Sequence, residues 1–277
     1  MTILLPLLML WMLLHPGLAM DAASAACRLF VMSVLPGLFP YMVLALMLVS
    51  RLSASLPTMG LVALGWCGGS PTGARLMGLV PGGNRKQQAF LAVATATMSP
   101  MFLLGTVGGW LGSRWAGAAV LGSVILGGWL AGLLARGCTR DADLSAAATE
   151  KPPVQPLLFG EAVEQAAKTM LLVCGTMVML RVLAALAAET LPRIALPLTT
   201  LLEVTTGAVE IAGLPLPLPL RTAIIAGATG FGGTASVMQN RAVYPKGLLS
   251  LPEQLLWQAV HGVVSFLLAL GAMLLTV

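Results

Sequence analysis

Long apolar runs, each close to the length of a membrane-spanning helix, constrain this chain more than any other feature. The clearest runs cover residues 2–20, 29–50, 88–112, 117–136, 167–188 and 254–276. A helix needs about 20 residues to cross about 30 Å of hydrocarbon. The chain is 58% hydrophobic and 9% charged, whereas a soluble domain carries about 25% charged residues. The sequence therefore predicts an all-α polytopic membrane protein.

Three other apolar stretches are interrupted by Gly, Pro, Ser and Thr, and they cover residues 59–80, 195–214 and 220–240. Counting these stretches gives about eight to nine membrane segments, of which two or three are candidates for re-entrant segments. The first apolar run lacks the positively charged N-terminal region of a cleaved signal peptide. We therefore expect residues 1–28 to form an uncleaved N-terminal transmembrane helix.

Similar motifs occur in the two halves of the chain. PTGARLMGL at 71–79 resembles TTGAVEIAGL at 205–214, and Ala-Thr pairs follow at nearly the same offset, starting at Ala96 and Ala228. We therefore expect two tandem structural repeats, each with broken or re-entrant helices. Matching interrupted segments in two repeats point to a transporter binding site, although small residues also allow close helix packing in lipid. The sequence leaves open whether the repeats are parallel or inverted.

A polar stretch with charges and prolines, residues 137–158, separates these halves and predicts a linker outside the membrane. The first repeat is expected at 29–136 and the second within 159–277. The second begins with FGEAVEQAAK, residues 159–168, which alternates apolar and polar positions at helical spacing. This pattern predicts an amphipathic lead-in along the membrane surface.

Glycine and proline clusters in the interrupted stretches predict helix breaks. Because an unpaired peptide group in hydrocarbon costs several kcal/mol, such breaks are expected to face the protein interior or a water-filled cavity. Helix halves that start there expose N–H groups that suit an anion. The expected substrate-binding residues are Ser70, Thr72, Gly73, Arg75, Thr97, Ser99, Glu203, Thr206, Gly207, Gly232, Gly233, Ser236 and Gln239.

Arg75 has two interpretations, because a charge inside the bilayer is costly and is by default a functional hypothesis. Arg75 either pairs with Glu203 or Glu210 and fixes the packing of the repeats, or it faces the cavity. In the second case its planar fork of donors would hold a substrate carboxylate. Glu203 and Glu210 are also candidate proton carriers, and the driving force is open.

Several other classes of function lack support in the sequence. The four cysteines and the two histidines, His15 and His261, stand at no metal-ligand spacing, so we expect neither a metal site nor a cofactor. No catalytic motif matches its full pattern, and we expect that the protein is not an enzyme. No basic run is interleaved with aromatic residues, which argues against a nucleic-acid partner.

Five motifs carry a family resemblance over roughly residues 29–276. They are LPGLFPYMVLALMLV (35–49), GGSPTGARLMG (68–78), MSPMFLLGTVG (98–108), LEVTTG (202–207) and GFGGTASVMQ (230–239). In this order they resemble the YlbJ-type sporulation integral membrane proteins, also called stage V sporulation protein V. That group belongs with the nucleoside-recognition, or Gate, domain proteins.

The resemblance implies a multi-pass protein in the cell membrane of an endospore-forming bacterium. It implies export of dipicolinate, a pyridine dicarboxylate, from the mother cell through the outer forespore membrane. The Gate domain is similar to parts of concentrative nucleoside transporters, which have paired hairpins and broken helices. The expected function is therefore transport of a small anionic metabolite by alternating access. The expected partners are this substrate and membrane lipid, and a homo-oligomer is left open.

Two other functions compete with this expectation. The first keeps the fold and replaces the anion by a nucleoside or a similar solute. The second is a non-transporting assembly protein of the spore envelope.

Overall fold

The computed structural model describes residues 4–52, 57–77, 85–139, 155–244 and 247–276, and all secondary structure in these ranges is helical. The helices of the first half are α1 (Leu4–Leu14), α2 (Pro16–Leu29), α3 (Leu35–Leu52), α4 (Thr58–Gly68), α5 (Thr72–Met77), α6 (Arg85–Ala94), α7 (Gly108–Trp110) and α8 (Arg114–Cys138). Two π-helical segments join neighbouring helices, Phe30–Val34 between α2 and α3 and Phe102–Val107 before α7.

The described residues of the second half form six α-helices and one short 3₁₀ turn, Pro192–Ile194. The α-helices are α9 (Phe159–Thr190), α10 (Ala195–Leu202), α11 (Val204–Ala212), α12 (Leu218–Phe231), α13 (Gly233–Val243) and α14 (Leu251–Leu274).

Four helices in the described ranges are long and apolar enough to cross a membrane. They are the continuous helix Pro16–Leu52, α8, α9 and α14. Large apolar side chains point outward from these helices, as Leu126 on α8, Leu171 on α9 and Leu267 on α14 show. Such side chains suit contact with lipid, because lipid tails are as apolar as leucine. The chain is therefore an all-α membrane protein.

The N-terminal boundary differs from the expected helix 1–28. The helical path breaks at His15, whose φ of −123° and ψ of 55° lie outside the helical region. Pro16 explains this break, because a proline disfavours helical angles at the residue before it. From Pro16 the chain then stays helical through Leu52, so it runs without interruption across position 28.

In the chain, the expected linker and lead-in come between α8 and the apolar part of α9. Residues 159–168, the expected lead-in, are the first ten residues of α9, a single helix of 32 residues. The backbone N–H of Leu158 donates to Glu161 Oε2 at 2.8 Å and so defines where α9 begins. Of the expected linker 137–158, residues 140–154 lie outside the described residues.

Two helix pairs fold back on themselves as hairpins. A Cβ atom built on Gly65 would lie 3.4 Å from the Cα of Gly73, and one built on Gly207 would lie 2.6 Å from the Cα of Thr200. Seven or eight residues of continuous helix would instead span about 10–12 Å. We name α4–α5 the first hairpin, with its tip at 69–71, and α10–α11 the second hairpin, with its tip at Glu203.

An interrupted helix follows each hairpin and packs its break against the hairpin tip. After α6, residues 95–99 are non-helical before the helix resumes at Pro100. After α12, Gly232 adopts a left-handed φ of +80°, which glycine tolerates best, and α13 starts at Gly233. The N–H of Ser70 donates to the Thr97 carbonyl at 2.6 Å, and the Thr234 hydroxyl donates to the Leu201 carbonyl at 3.0 Å.

Candidate functional site

The hairpin tips and the two helix breaks meet at a central cavity. From the tips it is lined by Ser70, Glu203, Val204 and Thr205, and from the interrupted helices by Met98, Ser99, Phe102, Gly232, Ala235, Ser236 and Gln239. Long-helix residues Val34, Leu38, Val173 and Met177 complete it. The volume of the cavity, measured as the space that the centre of a water molecule can occupy, is about 30 Å³. This is room for about two or three waters.

Ser70 joins the first hairpin to the second half of the chain. Its hydroxyl donates to Asn240 Oδ1 at 2.6 Å and lies 3.0 Å from the hydroxyl oxygen of Ser236. All three residues are buried. Because Ser70 already donates to Asn240, Ser236 is the donor in the second contact. These bonds join the first hairpin tip to α13 at the wall of the cavity.

Glu203 holds the tip of the second hairpin. Its carboxylate accepts from the backbone N–H of Thr205 at 2.9 Å and of Thr206 at 2.7 Å. It is the N-cap of α11, where two amide donors and the helix dipole stabilise its negative charge. Glu203 is 1% exposed. It is the one charged residue among the described residues that line the cavity.

Two further lining residues connect the cavity to the long helices. The side-chain amide of Gln239 donates to the Thr176 hydroxyl on α9 at 2.7 Å. The Ser99 hydroxyl donates to the Gly37 carbonyl on α3 at 3.2 Å and accepts from the Phe102 N–H at 3.3 Å. A movement of the residues that line the cavity would therefore disturb hydrogen bonds to α3 and α9.

The structure brings six of the thirteen expected residues to the cavity: Ser70, Ser99, Glu203, Gly232, Ser236 and Gln239. The other seven support its walls or lie elsewhere: Thr72, Gly73, Arg75, Thr97, Thr206, Gly207 and Gly233. The Thr72 hydroxyl, for example, donates to the Gly68 carbonyl at 2.9 Å. Gly73 packs so closely on Thr95 that an added Cβ would lie 2.5 Å from its side chain.

Arg75 is half-buried on α5, outside the residues that line the cavity. The two carboxylates expected as its partners are engaged elsewhere. Glu203 caps α11, and Glu210 lies 3.2 Å from the Arg181 guanidinium. The interpretation of Arg75 as the partner of one of these carboxylates is therefore corrected, because each carboxylate has a nearer donor.

A second, wider cavity lies behind the second hairpin, between α2, α9 and α11. We name it the side cleft. It measures about 670 Å³, and its polar lining consists of Asp21, Ser24, Arg28, Arg181, Thr206 and Glu210. Sequence reasoning missed Arg181, although an arginine inside the apolar run 167–188 is itself a signal of function.

The side cleft and the central cavity are both lined by residues in the first turn of α11. Thr205 lines the central cavity and Thr206 lines the side cleft, and Glu203 holds the N–H groups of both. The second hairpin tip is therefore the wall between the two spaces.

Comparisons with protein-family models, with curated proteins and with solved structures found no match to this chain. In the described part of the chain, no group of three or more His, Cys, Asp or Glu side chains could hold a metal ion.

Proposed function

We propose that this protein is a membrane transporter whose solute passes between the two hairpin tips by alternating access. The observation that carries the proposal is the meeting of two hairpin tips and two helix breaks at one cavity, whose walls combine apolar side chains with buried polar ones. Backbone without helical bonds is tolerated at membrane depth only inside protein or beside a water-filled space. Two such breaks at one cavity are typical of transporter binding sites.

The order of elements supports a duplicated architecture. A long helix, a hairpin, an interrupted helix and a second long helix occur in each half, from α3 to α8 and from α9 to α14. We propose that these halves, residues 29–136 and 159–277, are tandem repeats. Each repeat would cross the membrane three times, because its hairpin enters and leaves on one side. An odd number of crossings gives the two repeats inverted orientations.

The size of the cavity fits a closed state of such a transporter. Space for about two or three waters is too small for an organic metabolite. The bonds of Ser70 to Ser236 and Asn240 hold this closed state. A solute enters only if the first hairpin tip and α13 move apart, and alternating access requires such a movement.

A small aromatic acid, with dipicolinate as the first candidate, is the proposed substrate. The cavity walls offer flat apolar surfaces, including Phe102, Met98 and Met177, beside hydroxyl and amide groups. The side cleft supplies cationic groups, Arg28 and Arg181, on the other side of the second hairpin tip. A carboxylate is well matched by the planar donors of arginine. In this proposal the protein works in the cell membrane, on the mother-cell side of a developing spore.

A nucleoside-like solute is the second candidate, and the lining of the central cavity favours it. Ser70, Ser236 and Gln239 recognise hydroxyl and amide groups without requiring charge. Glu203, whose carboxylate lines the same cavity, repels an anion more than a neutral solute.

Flux into vesicles tests this proposal. Purified protein reconstituted into liposomes is expected to carry radiolabelled dipicolinate down its gradient. Ser236→Val removes the hydroxyl that contacts Ser70 and is expected to change the flux at least about tenfold, corresponding to about 1.4 kcal/mol. Met238→Val on the exposed face of the same helix is the matched control.

The outcomes of this experiment separate the candidates. Flux of uridine without flux of dipicolinate would assign the second substrate class. Folded protein that carries neither solute, and is protected from unfolding by neither, would contradict transport and favour a structural role in an envelope.

A further inference from the structure

One face of α14 carries four buried polar side chains. Gln254, Gln258, His261 and Ser265 stand four, three and four residues apart, which places them along a single helix face. Their exposed fractions are between 0% and 3%. Polar side chains buried in a membrane helix are costly and are by default a functional hypothesis.

These four side chains hold polar atoms that lack hydrogen-bond partners within the described residues. They are Gln254 Oε1, both amide atoms of Gln258, His261 Nδ1 and Ser265 Oγ. Each unpaired buried group costs about 1–3 kcal/mol, and native proteins contain only a few of them. Their concentration on one helix face therefore indicates a function that requires them.

The histidine ring has one engaged and one free nitrogen. His261 Nε2 lies 2.9 Å from the Val124 carbonyl, so Nε2 carries the hydrogen in the neutral ring. His261 Nδ1 then has a lone pair and no donor among the described residues. A buried imidazole with a free lone pair is a group that can take up a proton.

His261 is linked to the central cavity through Thr97. A Cβ built on Gly128 of α8 would lie 3.1 Å from the ring carbon Cε1 of His261 and 3.2 Å from the Thr97 methyl carbon. The two side chains therefore lie side by side against α8. The Thr97 carbonyl accepts from the Ser70 N–H at 2.6 Å, and Ser70 lines the cavity. Thr97 therefore links the His261 imidazole to Ser70, the residue that joins the first hairpin tip to α13.

The charged and phenolic groups on α14 and on the helices packed around it lie near helix ends. They are Glu253 on α14, Arg114 and Arg136 on α8, Arg221 on α12, Arg241 on α13, Arg85 and Lys86 on α6, and Tyr244 after α13. Glu253 caps the start of α14, and Tyr244 donates to the Ala92 carbonyl. Glu253 precedes His261 by eight residues, about 12 Å of helix. His261 is therefore the titratable group in the middle of this helix bundle.

We propose that His261 is a proton-binding site that couples proton movement to the opening of the central cavity. This inference rests on the proposed transport function. A proton from water on one side forms the Nδ1–H bond, and the same proton leaves to water on the other side. While bound, it is donated to an unpartnered acceptor one turn away, Gln258 Oε1 or Ser265 Oγ. The carboxylates of Glu203 and Glu210 contact two backbone N–H groups and the Arg181 guanidinium respectively, whereas His261 Nδ1 has no partner among the described residues, and we assign the proton to His261.

Proton movement in vesicles is the first test. A dipicolinate gradient across wild-type vesicles is expected to move protons, reported by a trapped pH-sensitive dye. Flux should vary with pH by up to about tenfold per pH unit where His261 titrates. His261→Gln keeps a donor for the Val124 carbonyl and is expected to abolish proton movement and this pH dependence. His15→Gln, at a half-exposed histidine beside Glu189, is expected to change neither. Undiminished proton movement in His261→Gln would overturn the proposal.

A second test needs neither transport nor a change at His261. The chain contains two histidines, so ¹⁵N-histidine labelling gives signals from two rings, which His15→Gln assigns. The His261 ring is expected to titrate, with a midpoint that Ser70→Ala moves by about half a pH unit or more. Gly175→Ala, at an open position on α9, is expected to leave the midpoint unchanged.

The two tests distinguish failure of transport from failure of the coupling. The coupling would be overturned if the His261 ring does not titrate, or if its titration midpoint is the same in wild type and in Ser70→Ala. This holds even if dipicolinate is carried. A ring that responds to Ser70→Ala in a protein without dipicolinate flux would contradict the proposed substrate and support the link between His261 and the cavity.

Discussion

Replacing Glu203 with alanine is expected to lower the free energy of unfolding by about 3 kcal/mol and to abolish transport. The substitution leaves the N–H groups of Thr205 and Thr206 without acceptors in a buried place. A hydrogen bond to a charged group contributes about 1.5–3 kcal/mol, and a buried donor left unpaired costs about as much. Without this cap the second hairpin loses the group that fixes its tip.

Unfolding in detergent, followed by circular dichroism, measures this effect. Glu189→Ala is the matched control, because Glu189 is half-exposed and lies 3.4 Å from His15. Such an exposed pair contributes about 1 kcal/mol at most. Glu203→Gln retains one acceptor and should fall between the wild type and Glu203→Ala. Equal stabilities of Glu203→Ala and Glu189→Ala would contradict the role assigned to the cap.

Gly207→Ala is expected to destabilise the protein by about 3 kcal/mol or to prevent folding of the second hairpin. A Cβ at this position would lie 2.4 Å from the Thr200 hydroxyl oxygen and 2.6 Å from its Cα. The Cα of Thr200 is a backbone atom, which cannot move aside as easily as the end of a flexible side chain. The added methyl group would therefore force α10 and α11 apart. Overpacking of this kind costs about 1–3 kcal/mol and occasionally more.

The control for this substitution is the same change on an open helix face. A Cβ on Gly175 of α9 would meet nothing within 4 Å. Gly175→Ala is therefore expected to stabilise the helix by up to about 1 kcal/mol, as alanine does at exposed helix positions. The yield of folded protein and its melting temperature in detergent compare the two variants. A Gly207→Ala protein as stable as Gly175→Ala would show that α10 and α11 do not pack as described.

The sequence predicted the helix breaks where glycine and proline cause them. The breaks at 69–71 and at Gly232 lie within the predicted clusters. The break at Glu203 has no such residue beside it, since Leu-Glu-Val contains neither glycine nor proline. Its cause is a side-chain cap on α11, and a capping role depends on burial that the sequence does not display. The fold-back of the hairpins depends on contacts between α4 and α5, and between α10 and α11.

The sequence was less informative about which polar side chains meet. Arg75 stands in the right motif, but the direction of a side chain on a short helix depends on how that helix packs. His261 has no carboxylate or cysteine at metal spacing, and the sequence therefore argued only against a metal site at this position. The spacing of His261 to Gln254, Gln258 and Ser265 indicates that the four residues share one helix face. That the face is buried and unpartnered became visible only with α8 packed against it.

A disulfide across the cavity tests the central claim, that a solute passes where the first hairpin tip meets α13. Ser70→Cys and Ser236→Cys would be combined after replacing Cys27, Cys67, Cys138 and Cys174 by serine. The two native hydroxyl oxygens lie 3.0 Å apart, so sulfur atoms at these positions need to approach by about 1 Å to form an S–S bond of about 2.05 Å. A protease site inserted within residues 140–154 reports the bond, because the fragments stay joined until they are reduced.

The measurement is dipicolinate and uridine flux through this double variant before and after reduction, with each single cysteine variant as a control. The account predicts that oxidation joins the fragments and stops flux, and that a reducing agent restores both free fragments and flux. Fragments that never join, or joined protein that carries its solute as fast as the reduced form, would contradict it.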